Sequence, residues 1–454
     1  MKARSCYIPV FALCAGLLVS CSGSGDLTDT AADNRVVNLV PLAKGYAKTA
    51  VNVTIFRRNS VFTHEQSQYA AYYDPEGHLM LARRELGDTT WKIHQTQYAG
   101  NVRDAHNSIS IMVDGAGYLH VSWDHHNHPL RYARGLRPGS LELGQREQMS
   151  PASAGHRVTY PEFYRMPDGD LLFMYRHGGS GDGAQVLHRY DVSEGSWSLL
   201  HEQLIDGQGR VNPYWQTTID EAGTLHLSWT WRRNPGVESN HDMAYARSGD
   251  GGRTWERSDG EEYELPITPG TAEYALRIPE NSVMMNQTSM AADSRGNPYI
   301  VNYWRPEGSE VPQYHIVHHD GESWQVSQLG HLTQAFDLRG GGSMAPPISR
   351  PQIAVDTSGE QDRAYVIFRA EERGSKVSVA ISNNPELGEW SVIDLADLPL
   401  RSWEPSYDTS LWQREKKLHL FVQQAGQLPH ETPDEDMEPQ MIYILEWDPA
   451  RQAE

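Results

Sequence analysis

"DAHNSISIMVDGAGYLHVSWDHHNHPLRY", residues 104–132, decides the fold. Two strand-like arms rich in apolar residues meet at Asp114–Gly117, a tight-turn sequence. Apart from His120 inside the second arm, the imidazoles gather at the outer ends: His106 precedes the first arm, and His125, His126 and His128 follow the second. Strands of similar length leaving one turn end side by side, so all four rings belong to one end of the unit.

The unit recurs. "PDGDLLFMY" (167–175), "DEAGTLHLSW" (220–229), "DSRGNPYIVNYW" (293–304) and "DTSGEQDRAYVIF" (356–368) repeat the strand, Asp/Gly turn, strand order. "YDPEGHLMLARR" (73–84) and "YDTSLWQREKKLHLFV" (407–422) are weaker first and last members, and a third segment such as "DMAYARS" (242–248) usually follows. Units spaced about fifty to seventy residues apart predict an all-β chain folded as a seven-bladed β-propeller. Six blades, or a sandwich with insertions, are the alternatives. "SGDGGRTW" (248–255) resembles the Asp-box turn of propeller blades, with degenerate copies at 193–197, 320–324 and 387–390. Such a turn reports architecture and carries no catalytic information.

Repetition also separates scaffold from site. His120 and His226 occupy the same place in "LHVSW" and "LHLSW", beside Trp123 and Trp229, and read as packing residues. Positions that differ between units say more. His106, Tyr160 and Asn212 each stand eight residues before a turn aspartate, while His126, Arg176, Arg232 and Arg305 follow the second strands. These ends share the top face, over the central channel. His125 and His128 are expected to be solvated loop residues.

The first twenty residues read as a lipoprotein signal peptide: a basic start, a short apolar run, then "LVSC", which resembles a lipobox ending at Cys21. Residues 21–38 read as a flexible tether and 39–450 as a single propeller domain. All three cysteines (Cys6, Cys14, Cys21) precede that domain, which therefore has no disulfide, thiolate metal site or thiol nucleophile. Export is expected, either lipid-anchored at the bacterial cell envelope, on the outer membrane, or secreted, with membrane contact only through the lipid. Net charge is −20, becoming −22 once Lys2 and Arg4 depart, so nucleic acid is not an expected partner. A monomer is expected.

At the channel mouth the candidates are His106, His126, Tyr160, Arg176, Tyr214 and Arg232, with Asn107 and Asn212 beside them. No carboxylate pair stands at matching positions, and no HExxH or cysteine-rich spacing occurs. Imidazole, phenol and guanidinium together suit β-elimination from a uronic acid. A guanidinium can neutralise the carboxylate as enolate-like charge develops, a neutral His can accept the carbon 5 proton, and a Tyr can protonate the leaving oxygen.

At these residues the chain resembles a family. The opening stretch, with "RVTYPEFYRMPDGDLLFMYRHGGSGDG" and "RVNPYWQTTIDEAGTLHLSWTWRR", looks like the propeller-type ulvan lyases of polysaccharide lyase families 24 and 25, closer to the latter. The likeness covers most of the chain after the tether. It implies that His106, His126, Tyr160, Arg176 and Tyr214 are the family's site residues. It also implies a His/Tyr elimination with an arginine neutraliser, acting on uronate next to sulfated rhamnose in ulvan. His106 and Tyr160 are assigned to proton transfer, His126 to carboxylate binding or assistance of the base, and Arg176 to neutralisation. Which of the first three is base and which acid stays open.

Asn107, Tyr214, Arg232 and Arg305 are assigned to substrate binding, and Arg350 and Arg369 stand at further strand ends that could line the groove. The expected partner is an anionic sulfated polysaccharide. No cofactor is required for the chemistry. A structural metal is left open, with His177, His241, His315, His318 and His319 available but in no recognised ligand spacing. Two rival readings are a sialidase-like glycoside hydrolase, for which Glu162 and Asp104 are the nearest acids, and a non-catalytic carbohydrate-binding propeller.

Overall fold

The computed structural model describes residues 26–29, 35–54, 59–287, 289–330, 332–384 and 386–452. The stretch read as a signal peptide, and Cys21, lie outside these residues. Seven antiparallel sheets follow one another around a ring, as the repeat predicts. Blade 1 runs Val61–His64, Ser67–Tyr73, His78–Glu85 and Lys92–Ala99; blade 2 is built on Ile109–Val113, Leu119–Trp123 and Tyr132–Arg134. Blade 3 holds Arg157–Arg165, Leu171–His177, Ala184–Asp191 and Ser196–Asp206, and blade 4 starts with Asn212–Ile219 and Leu225–Arg232. Blades 5, 6 and 7 begin at Ser289, Gln352 and Leu418.

Burial explains why the innermost strands read as apolar runs. Ile109–Val113 and Leu119–Trp123 are buried at every position, because neighbouring blades cover both faces. The outer strand Lys92–Ala99 is mostly exposed and reads as polar. Trp123 and Trp229 are 1% and 0% exposed and pack between blades, as their repeated position suggests.

The turn chemistry is equally regular. Asp114 Oδ1 accepts from the backbone of Ala116 and Tyr118 at 2.9 Å each. Gly117 supplies φ +84°, which side chains rarely adopt, and Gly223 and Gly296 do the same in blades 4 and 5. The other oxygen of Asp114 takes His120 Nε2 at 3.1 Å, and His120 Nδ1 meets the Tyr132 hydroxyl at 2.8 Å. Blade 4 repeats this with Asp220, His226 and Tyr245 at 3.1 and 2.8 Å. The two histidines are scaffold.

The Asp-box is formed as its sequence suggests. Asp250 Oδ1 accepts from Ser248 and from the backbone of Arg253 and Thr254, while Trp255 Nε1 donates to Gly252 O at 3.1 Å. Trp390 makes the same bond to Leu387 O at 3.0 Å in blade 6.

Three features depart from the sequence reading. The ring closes by pairing Arg35–Gly45 antiparallel to Gln440–Gln452, so the closing strand begins inside the stretch read as tether. Asp26–Asp29 pairs parallel to the outer strand Glu389–Asp394 of blade 6. The seventh turn is replaced by a short helix, Thr409–Glu415, capped by Asp408, whose carboxylate also accepts from Thr63 and Gln68 of blade 1. Among the described residues no helix is long and apolar enough to cross a membrane.

Candidate active site

The opening hairpin is not one hairpin at its histidine end. After Trp123 the chain leaves blade 2, and His126–Pro129 adds an inner strand to blade 3, with His126 opposite Thr159 and His128 opposite Val158. Positive φ at Asp124 (63°) and Asn127 (63°) makes the crossing. This step turns His125 and His126 in opposite directions. His125 is fully buried, and its Nε2 accepts from the Arg131 backbone at 2.7 Å, so it is not the solvated loop residue expected. Burial holds its proton affinity well below the usual range. His126 faces the channel.

Blade 3 supplies the rest. Thr159 pairs with Arg176, and the register of Arg157–Arg165 breaks between Thr159 and Glu162. Inside that bulge Tyr160 has φ 58°, a conformation costing an aromatic residue roughly 1–3 kcal/mol. The bulge re-aims Tyr160 out of the strand's alternation and toward the neighbouring histidines.

His106, His126, Tyr160, Arg176, Tyr214 and Arg232 line one cavity of about 270 Å³. The rings of His106 and His126 stack at 4.1 Å with 15° between planes, and Tyr160 stands 5.8 Å from His106. Asp104 organises the pair: Oδ1 meets His106 Nδ1 at 2.9 Å and Oδ2 meets His126 Nδ1 at 2.6 Å. Glu431 reaches in from blade 7 and places Oε1 2.9 Å from the same His106 Nδ1. Burial alone would lower the proton affinity of His106, but the two carboxylates overcome it and raise its pKa to about 9. Burial likewise opposes ionisation of Asp104, yet hydrogen bonds from both imidazoles hold its carboxyl well below the usual carboxylate range.

On the opposite wall, Tyr214 sits between two guanidiniums. Arg176 Nη1 donates to its hydroxyl at 3.2 Å and Arg232 Nη1 at 3.4 Å, with Ser180 Oγ also at 3.2 Å. Arg176 lies over the Tyr160 ring, 5.0 Å from its centre. The Tyr160 and Tyr214 hydroxyls hydrogen-bond to each other. Burial raises both phenols, but Arg232 and Arg176 overcome it at Tyr214 and pull its proton affinity below the ordinary tyrosine value. Tyr160 is held above it, by burial first and by Tyr214 second. The pair thus gives up one proton readily and the second with difficulty, because two adjacent phenolates would repel.

Of the other sequence candidates, Arg350 lines the cavity and Asn107, Asn212, Arg305 and Arg369 do not. Asn107 is fully buried, donating to Asn101 O at 2.9 Å, and does not line the cavity. Asn212 is a support that accepts from the Gly181 backbone. Arg305 lies outside the cavity and donates to Asn281 O. Arg350 lines it, but is held bidentately by Glu404 at 2.8 and 2.6 Å. Arg369 is buried on the carbonyls of Trp403, Pro347 and Pro346. The eight-residue count brings His106 and Tyr160 to the cavity but not Asn212, because it treats every strand as straight and bulges and crossings shift the strand ends.

Glu431 and Ser180 were missed. Neither belongs to a repeat, and Glu431 is brought in by a loop whose backbone donates to Ser343 O at 3.1 Å. Asp104 had a usable signal, because an aspartate two residues before a histidine can take both its backbone and its ring N–H, as here. Asp104, His106, His126 and Glu431 each offer an atom within 4.8 Å of the others and could hold a divalent ion. Among the described residues, His177, His241, His315, His318 and His319 join no such group.

The two acids of the hydrolase reading are unsuited to it. Asp104 is held ionised by two histidines, and Glu162 is buried away from the cavity, accepting from the Tyr164 hydroxyl at 2.5 Å.

Comparison with known proteins adds family and fold. The profile described as BNR repeat-containing family member matches residues 67–332. An ulvan lyase (long isoform) of Pseudoalteromonas sp. (strain PLSV) is 24% identical over 330 residues, covering 57% of this chain and 33% of its own. The chain thus spans about one third of the length of that relative. The solved polysaccharide lyase Uly1 superimposes with a TM-score of 0.65 at 15% identity, over 91% of this chain and 99% of its own. A family 25 ulvan lyase, solved with -[GlcA(1-4)Rha3S]- bound, gives 0.63 at 15% identity, over 87% and 96%.

Proposed function

Since the chain belongs to the BNR repeat-containing family and folds like the propeller ulvan lyases, we propose that it is a polysaccharide lyase of the ulvan-lyase type. Its substrate is a sulfated polymer of rhamnose and uronic acid, cleaved by β-elimination at the uronate. One observation carries this reading: two imidazoles, two phenols and three guanidiniums converge on one cavity, and among the described residues no pair of free carboxylic acids stands there for hydrolysis.

The uronate carboxylate is neutralised by Arg176 together with the His106 imidazolium. An imidazolium favoured up to about pH 9 suits a cationic partner better than a neutral base. This moves weight in proton transfer from His106 to the tyrosines. The Tyr160–Tyr214 pair, one proton short beside Arg176 and Arg232, accepts the carbon 5 proton. The bond from carbon 4 to the glycosidic oxygen then breaks, a carbon 4–carbon 5 double bond forms, and a Tyr160 hydroxyl proton passes to the departing oxygen. His126, stacked on His106 and tied to Asp104, orients the carboxylate. Atoms and charge balance without a co-reactant, so the chemistry requires no cofactor.

Export with lipidation at Cys21 is part of the same proposal, since a large anionic polymer must be met outside the cell; loss of membrane-bound protein in Cys21→Ser tests it. The main test is to incubate the protein with ulvan. A lyase produces unsaturated uronate that absorbs ultraviolet light in step with new reducing ends. Reducing ends without absorbance would make it a hydrolase, and binding without either would make it a lectin.

A further inference from the structure

A second cavity lies at the other end of the channel. It measures about 460 Å³ and is bounded by the turn ends of blades 1, 3 and 4 and by the helix Thr409–Glu415. Arg165 lies on its wall, at the far end of the strand that carries Tyr160, and exposed Arg414 joins it from the helix.

Neither guanidinium has an acid partner among the described residues. Arg165 Nη1 donates to His64 Nδ1 at 2.8 Å, and Arg414 Nη1 donates to the Glu65 carbonyl at 2.9 Å. Burial makes the charge on Arg165 costly and Arg414 adds to that cost, while Asp114 and Glu65 offset part of it. The carboxylates nearby are mostly committed elsewhere. Asp114 is taken by His120, Asp220 by His226, and Glu221 by Lys416 and Thr357; Glu65 alone faces the pair with an exposed side chain. Half-exposed hydroxyls of Thr218, Thr409 and Ser410 line the space between. Two guanidiniums with no direct ion pair among the described residues, beside a wall of hydroxyls, offer hydrogen-bond donors to a polar, singly or doubly charged anion of sugar size.

We propose that this mouth is a second, non-catalytic binding site for short saccharides carrying sulfate or carboxylate, held by Arg165 and Arg414. The site stands apart from the elimination chemistry and does not depend on it. Its place in a lyase would be to retain charged oligosaccharides near the protein.

Calorimetric titration with the disaccharide GlcA(1-4)Rha3S tests this on three proteins: wild type, Arg176→Ala, and Arg165→Gln/Arg414→Gln. A binding step should survive Arg176→Ala and weaken about tenfold or more in the double variant. Arg414→Gln alone, at an exposed position, should show part of that loss, and unchanged melting certifies the fold. The proposal is overturned if no step survives Arg176→Ala, or if the surviving step ignores both arginines. Inorganic sulfate binding as tightly as the disaccharide also overturns it, by reducing the site to a simple anion hole. Failure of the protein to cleave ulvan leaves this readout intact.

Discussion

The imidazoles of His106 and His126 stack at 4.1 Å although one precedes blade 2 and the other lies in an inner strand of blade 3. Asp104 bridges them through separate oxygens, so the rings share one counter-charge and Glu431 gives His106 a second.

That arrangement makes stability depend on alkaline pH. The His106 pKa is raised from the ordinary 6.5 to about 9 in the folded protein. Its contribution is therefore fully present below 6.5 and is lost as pH rises through 9. On the order of 3 kcal/mol should disappear across that window. Denaturant melts between pH 6 and pH 10 will show this, and Glu431→Gln should flatten the curve and move the alkaline limb of activity to lower pH. An unchanged alkaline limb in that variant would remove the His106 cation from the mechanism.

Tyr160→Phe removes the hydroxyl shared with Tyr214 and should lower kcat by about 10²- to 10⁴-fold with little change in melting. Tyr214→Phe should preserve more activity at high pH than at neutral pH, because the remaining phenol then lacks its easily lost proton. Initial rates of ultraviolet absorbance from pH 6 to 10 separate the two.

Arg176→Ala should abolish elimination. Arg176→Lys should recover little, because an ammonium cannot donate to Tyr214 and a carboxylate from one plane. Full recovery by Lys would mean that charge alone suffices.

His120→Ala strips a fully buried ring from Asp114 and Tyr132 and should destabilise the protein by about 3–5 kcal/mol. Above the melting transition's onset no activity should remain, but well below it kcat should match wild type. A kcat defect in fully folded protein would contradict the scaffold role shared with His226.

Chelator treatment should leave turnover unchanged, since protons on the two Nδ1 atoms already satisfy Asp104 and Glu431. Activity lost to chelator and restored by a divalent ion would assign that quartet to a metal.

Much of the site was legible because repeated sequence defines the scaffold and leaves the exceptions visible. His106, His126, Tyr160, Arg176, Tyr214 and Arg232 stand out as side chains that break the blade pattern, and all six line one cavity. Asn107, Arg305 and Arg369 break it too, yet fall outside, because a strand end can turn inward, sideways or into the core.

Sequence by itself determined the blade. Asp/Gly turns, paired apolar arms and the Asp-box are local, and each is enforced within a few residues by backbone hydrogen bonds and glycine conformations. Tertiary structure decided the chemistry. The crossing that sends His126 to blade 3, the bulge that swings Tyr160, and the arrival of Glu431 from blade 7 join residues that lie from tens to hundreds of positions apart. Such contacts set proton affinities through distances of a few ångströms, and no local pattern encodes those distances.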